Sequence, residues 1–514
     1  MGIGGGGVFT IYNASKGTVE TINARETAPM SATADMFDNE LQKTKPGLLI
    51  AVPGELRGYK MAHERYGKLP WKVLFEPSIK LASEGFKIGK ALANTIKKEE
   101  KKIRNNIALR EVFCDSDNKP LKENNITRFP KLAETYRIIA EEGPDAFYNG
   151  SLTQSIVYEI KAAGGNITRE DLKGYKPDLQ KYALNFTVGK YIFHAPAAPF
   201  GGPVLALIMK TLLGKGTADS SGFNLSNKSV STTGNKTLTY HRIIEAFRFA
   251  NAQKAKLADP LYENITEHVK NMTSDSFADL IRSKIKDDIK QTSYDDQVIK
   301  IVPDDHGTSH LSVIAKDGSA VAVTSSINDY FGSGVMSWLT GIIFNDQMSD
   351  YIGSEMKNGP NKIKPGKRPL SSMCPTIILD KDSKKVRMVV GGAGGTNITT
   401  SVAQVILDHL YFDYSLLGAV AEPRAQVPQN VTNVEEGFDS TVIDGLKKKN
   451  HQILQNTELT MVQVVGQEGD QVCAVSDTRN AVYYRLNTAS VKGLSSDSYI
   501  IICLGVLWML LNGA

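Results

Sequence analysis

In KVLFEPSIKLASEGF (72–86), the apolar positions Val73, Leu74, Ile79, Leu81 and Phe86 recur at roughly helical spacing. They predict helix within the stretch 47–112. The charged run IKKEEKKIR (96–104) inside that stretch reads as a solvated helix face. Between Lys215 and Lys236 the chain is rich in Gly, Ser, Thr and Asn, which predicts a loop. Tyr240, Ile243, Ile244 and Phe247 then restore the helical period, in a helix expected to stop near Asp259-Pro260. Near residue 300 the period changes. HLSVIAKDGSAVAVT (310–324) alternates around Asp317-Gly318, the signature of a two-residue hairpin turn. Such a turn pairs Lys316 with Ser319 and returns Ser326 to Asn328 beside Thr308, with the register fixed to within a residue. Further on, KVRMVV (385–390) reads as a strand, GGAGGT as a tight turn and TTSVAQVILDHLYF (399–412) as a helix. There is no internal repeat, and strands and helices mix without the regular alternation of a doubly wound sheet.

Length and composition narrow the class. A chain of 514 residues allows about three ordinary domains or one large multilayered unit. With 41% apolar and 22% charged residues it is an ordinary globular sequence. Sixty Lys and Arg against 55 Asp and Glu leave a net charge of only +5, which argues against a nucleic-acid partner. Four cysteines cannot staple a chain of this size, and no CxxC pair suggests zinc or redox chemistry.

The two ends give conflicting targeting signals. MGIGGGG carries neither a basic region nor an apolar leader. Yet twelve N-x-S/T sequons, from Asn13 to Asn430, favour a secretory history. Tyr499 to Leu511 is an uncharged apolar run too short to span a bilayer comfortably. Asn487, Thr488 and Ala489 followed by a polar spacer give it the layout of a GPI-attachment signal. The expectation is an extracellular or cell-surface protein whose natural start lies upstream of Met1.

Two segments carry candidate chemistry. PDDHGTSHLSV (303–313) places a Gly307-Thr308 step at the mouth of a strand. It serves as a plain strand-entry turn or, if that peptide is broken, as the source of an N-terminal threonine. A freed α-amine has a reference pKa of about 7.7–8, so it could act as general base for its own hydroxyl. GGAGGT (391–396), between strand and helix, could aim backbone N–H groups at a developing oxyanion. It fits neither the dinucleotide fingerprint nor the phosphate loop, and MGIGGGG matches GxGxxG with no strand before it, so no cofactor is expected. His306 and His310 flank a glycine in a strand pattern, where i, i+4 spacing does not bring both rings together, so no metal is expected. Ser371-Ser372 before Cys374 reads by itself as a polar turn.

Taken together, GIGGGGVFTIYN, NARETAP, AVPGELRGY, FYNGSLT, TYHRIIEAFRFA, DDHGTSHLSV, SSINDYFGS, PGKRPLSSMCPTI and VVGGAGGT resemble gamma-glutamyltransferase (glutathione hydrolase) of the N-terminal nucleophile hydrolase superfamily, over nearly the whole chain to about residue 480. The resemblance implies an α+β fold, a four-layer αββα sandwich, made as one precursor that cleaves itself before Thr308. The pieces would be a large subunit, 1–307, shortened at its start relative to the family, and a small subunit, 308–486, joined as a heterodimer, with 487–514 as spacer and tail. It further implies that Arg25, aided by Ser371 and Ser372, holds the α-carboxylate of a γ-glutamyl group. Asn328, Gln347 and Asp350 would hold its ammonium, Gly394 and Gly395 would form the oxyanion hole, and Ser326 would orient Thr308. The implied donors are glutathione and other γ-glutamyl compounds, and the acceptors are water, amino acids or dipeptides. Three departures stand out. Gln347 occupies a position where animal members have Glu, His306 replaces a glycine before Gly307, and Arg110 removes the cysteine partner of Cys114. His306 and the shortened start leave a second reading, a secreted homologue that binds γ-glutamyl compounds or a protein partner without turnover.

Overall fold

The computed structural model describes residues 2–39, 44–214, 222–294, 307–351, 359–428, 431–455, 460–468, 471–477 and 479. His306, the sequon at Asn430 and the expected spacer and tail, 487–514, lie outside them.

Two antiparallel sheets stack face to face. The first runs, edge to edge, Asp178–Gln180, Thr18–Ala24, Gly6–Asn13, Ala320–Ser326 and Thr308–Ile314. The second runs Gln471–Ser476, Met461–Glu468, Val386–Ala393, Thr376–Asp380, Tyr191–Ala195 and Leu184–Val188. The two-residue period of each strand sorts its side chains between layers. In Gly6–Asn13, Phe9 and Ile11 face a helical layer that includes Leu56, Leu74 and Ile139. Tyr12 points the other way, toward Ile377 and Val389 of the second sheet. The second sheet repeats the pattern: Ile377 and Leu379 face the first sheet, while Ile378, Met388 and Val390 share one core with helices Gly202–Leu213 and Ile398–Leu410 and with Thr233–Lys254, which packs on Gly202–Leu213. GPVLALIMKTLL is apolar apart from Lys210 and Thr211, and every residue from Gly202 to Leu212 is buried, Lys210 reaching Asp275 at 2.7 Å. The architecture is therefore helix, sheet, sheet, helix, with the predicted four layers.

Several local expectations need correction. The hairpin turn has three residues: Ala315 N–H donates to Ser319 O at 2.7 Å and Gly318 takes φ +84°. That shifts the register by one, so Thr308 lies opposite Ser326. The expected loop 215–236 contains a 3-10 turn, Asn227–Val230, and the first residues of the Thr233–Lys254 helix. That helix stops at Lys254, before Pro260, because the Leu257–Asp259 turn is packed against the neighbouring loop. IKKEEKKIR spans two short helices; Ile96 and Ile103 are fully buried, and Lys102 Nζ donates to the carbonyls of Tyr330 and Gly332 at 2.8 and 3.2 Å. MGIGGGG leads directly into a central strand. Cβ atoms at Gly4, Gly5 and Gly7 would strike the backbone of Ile343, Ser326 and Thr324, so glycine there serves close strand packing.

Candidate active site

The first strand-end cluster is built on the Gly307-Thr308 junction. Thr308 begins an edge strand, its side chain buried, with Oγ1 at 2.8 Å from Ser326 Oγ. Ser326 Oγ also accepts the backbone N–H of Asn328 at 2.8 Å, which fixes its rotamer from the far side. Gly307 O accepts the N–H of Ile327 at 3.1 Å, and Gly307 N–H donates to Asn328 O. A Cβ at Gly307 would collide with Asp329 O, so only glycine permits this approach. The chain then turns through positive φ at Asn328 (+73°), where Nδ2 donates to Ser349 Oγ at 2.8 Å.

Beneath the Thr308–Ile314 strand, His310 is buried. Its Nδ1 meets Thr324 Oγ1 at 2.9 Å and its Nε2 meets Ser312 Oγ at 2.8 Å. Burial pushes its pKa down to about 3, so the ring is a neutral strut between the sheets, against Gly391. Three residues beyond Gly391, Gly394 takes φ +127° and Gly395 +55°, turning the strand into the helix that begins at Ile398. A Cβ at Gly394 would clash with Thr460.

The second cluster is a buried polar pocket. Arg25, 1% exposed, pairs with the Asp350 carboxylate and donates to the carbonyls of Pro369 (Nε, 3.3 Å) and Leu370 (3.1 Å). Gln347 Nε2 donates to the same Asp350 oxygen, Oδ2, at 2.7 Å, while its own Oε1 is buried with no hydrogen-bond partner among the described residues. Burial raises the Asp350 carboxyl pKa, with Arg25 the largest opposing influence. Arg25 and Asp350, expected at opposite ends of a ligand, thus neutralise each other here. Ser371 and Ser372 lie on the loop that carries the two arginine-bound carbonyls. Ser371 Oγ accepts the N–H of Met373 at 3.1 Å, and Ser372 Oγ accepts Lys254 Nζ.

Sequence reasoning missed three members. Lys254 ends its helix, and a basic residue in a last turn reads as a dipole partner, not as a pocket cation. Ser349 had no motif to mark it. Glu26, within NARE, lies 3.7 Å from Arg25, and neither carboxyl oxygen has a hydrogen-bond partner among the described residues. Burial pushes its pKa up to about 8, which keeps it protonated near neutrality. The chemistry assembled is a hydroxyl with an oriented partner, a glycine turn and a pocket with both charges, suited to acyl transfer from a zwitterionic head group.

Comparisons with known proteins agree. The family pattern described as Gamma-glutamyltranspeptidase matches residues 1–484. Among curated proteins, the chain is 39% identical to Scoloptoxin SSD14 of Scolopendra dehaani, covering 88% of this chain and 78% of that one. It is 36% identical to Glutathione hydrolase 5 proenzyme of Rattus norvegicus, covering 94% and 84%. Among solved structures, cephalosporin acylase from Bacillus halodurans superposes with TM-score 0.76 at 22% identity, over 93% of this chain and 86% of that one, a likeness of fold.

Proposed function

The chain belongs to the gamma-glutamyltranspeptidase family, and from that premise we propose that Thr308 is the nucleophile of a glutathione hydrolase and γ-glutamyltransferase. The observation that carries the assignment is the Thr308–Ser326 contact at 2.8 Å on the one threonine preceded by the clamped Gly307.

Maturation comes first. The Thr308 hydroxyl adds to the Gly307 carbonyl carbon, whose oxygen is already polarised by the Ile327 N–H. The C–N bond breaks as the acyl group shifts to oxygen. One water then hydrolyses the ester, leaving a Gly307 carboxylate and a free Thr308 amine. Near neutral pH that amine takes the proton of its own hydroxyl as the oxygen attacks a γ-glutamyl carbonyl. Backbone N–H groups at Gly394 and Gly395 meet the oxyanion, a contribution of roughly 3–4 kcal/mol for one good donor. Collapse forms a γ-glutamyl ester on Thr308, and the departing amine takes up a proton. Water then gives hydrolysis; an amino acid or dipeptide amine gives transfer.

The pocket supplies the selectivity. A free amino acid head carries both charges on one carbon, so binding needs a guanidinium for the carboxylate and a carboxylate with amide acceptors for the ammonium. Arg25 and Asp350 are held side by side for this, and Gln347 Oε1, without a hydrogen-bond partner among the described residues, supports a third contact to an ammonium. The bound zwitterion exchanges their mutual ion pair for two with the ligand.

We further propose an extracellular or cell-surface location with N-glycans. Nine of the twelve sequon asparagines, including Asn125, Asn166 and Asn264, are exposed, and Asn13 and Asn397 are half-buried. An endoglycosidase shift of the secreted chain checks this. For the activity, release of a chromogenic amine from a γ-glutamyl anilide supports the reading. No release by a processed full-length chain leaves the silent binding homologue.

A further inference from the structure

We infer that Lys254 is a positioning residue for the carboxylate end of the donor head group, turning Ser372 into a dedicated hydrogen-bond donor and placing a second positive charge behind it. The inference rests on the function proposed above.

A serine hydroxyl has one proton and two acceptor lone pairs. Ser371 and Ser372 are both buried, and each spends acceptor capacity on an N–H donor, Met373 N–H at 3.1 Å for Ser371 and the Lys254 ammonium for Ser372. Among the described residues neither hydroxyl proton has a protein acceptor. Two adjacent buried O–H donors with nothing to donate to are a receptor for an acceptor-only group, and a carboxylate is that group. The two serines are not equivalent. Ser371 is held by a neutral amide, whereas an ammonium donating to Ser372 draws density from its O–H and strengthens the bond it offers to an anion.

The position of the charge is fixed by the fold. Lys254 closes the Thr233–Lys254 helix, where the last carbonyls favour a cation. Next to it, Gln253 O meets His268 Nε2 at 3.0 Å, and Asp259 accepts the N–H of Arg368 at 2.9 Å. The helix end and the serine loop are therefore one unit. Arg25 reaches that loop from the other sheet and bonds the carbonyls of Pro369 and Leu370. Two cations from two layers thus bracket the loop carrying the serines. Lys254 acts on the α-carboxylate end and not on the γ-carbonyl at Thr308, so its loss should appear in binding and spare the chemical step.

The test uses the full-length chain, with Lys254→Met, Lys254→Gln and Lys254→Arg measured against a γ-glutamyl anilide and two competitive inhibitors. L-Glutamate carries the α-carboxylate; 4-aminobutyrate lacks it. Lys254→Met should raise KM about tenfold, the loss of one charge-assisted bond, with kcat within about twofold. Inhibition by L-glutamate should weaken by the same factor and inhibition by 4-aminobutyrate should not change. Lys254→Arg should restore most of the affinity, and Lys254→Gln, which keeps a donor without charge, should fall between and covers the case in which the Met variant does not fold. Unchanged KM, or equal losses for both inhibitors, overturns the inference. A wild-type chain that releases no amine fails the functional reading itself, a distinguishable outcome.

Discussion

Arg25→Met removes three interactions at once: the ion pair with Asp350 and the bonds to the carbonyls of Pro369 and Leu370. For the substrate, the lost contact is a charge-assisted bond to the α-carboxylate, about 1.5–3 kcal/mol. At about 1.4 kcal/mol per factor of ten, KM for a γ-glutamyl anilide rises roughly ten- to 150-fold. For the fold, breaking a buried pair by deleting one partner costs about 3–5 kcal/mol when the other charge stays uncompensated. Asp350 has an escape. Burial already raises its pKa and Arg25 is the main influence holding it down, so without Arg25 the carboxyl takes a proton nearer neutral pH. The stability loss should therefore sit toward the lower figure, while ammonium binding weakens as Asp350 loses its charge. Arg25→Lys keeps the charge but not the fork that reaches both the carboxylate and the carbonyls, so it should fall between. Steady-state kinetics with melting curves separate the effects. An Arg25→Met chain that is folded and processed, with KM within twofold of wild type, would refute the assignment.

Three further outcomes follow from the geometry. Ser326→Ala removes the partner of Thr308 and leaves the Asn328 N–H without its acceptor, so kcat should drop about a hundredfold through misplacement of the nucleophile, with KM less affected; a change below twofold would count against the orienting role. Gly394→Ala drives a Cβ into Thr460 at a φ that alanine rarely adopts, and the displaced turn should cost about 10²–10³ in kcat, read by single-turnover kinetics on processed protein. Glu26 has its pKa pushed up from 4.5 to about 8 by burial, so the folded state holds a proton that the unfolded chain releases; stability should fall as pH rises between those values, by at most about 1.4 kcal/mol per pH unit. Glu26→Gln should flatten that slope, and melting curves with the same pH dependence as wild type would exclude Glu26 as its source.

Much of this was legible along the chain because the site sits where local signals are strongest. The alternation around Asp317-Gly318 located the hairpin, and the glycines of GGAGGT located the strand-to-helix turn. What failed depended on tertiary contacts. One residue of turn length decided whether Ser326 or its neighbour faced Thr308, and that choice lies in the conformation of Gly318. The glycine run at the start has no hydrophobic period, and it becomes a central strand because its neighbours approach too closely for side chains. Charged residues mislead most: Lys102 reads as part of a solvated helix face and Lys254 as a helix-dipole partner, yet one holds the Tyr330 loop and the other holds Ser372. Their partners are more than a hundred residues away in sequence, beyond any periodicity.

The most direct measurement is the intact mass and terminal sequence of the purified, active chain, alongside Thr308→Ala. A fragment beginning at Thr308 and another ending at Gly307, with the Thr308→Ala chain whole and inactive, is the predicted result. An active chain that remains a single polypeptide, or a Thr308→Ala chain divided at the same bond, contradicts it.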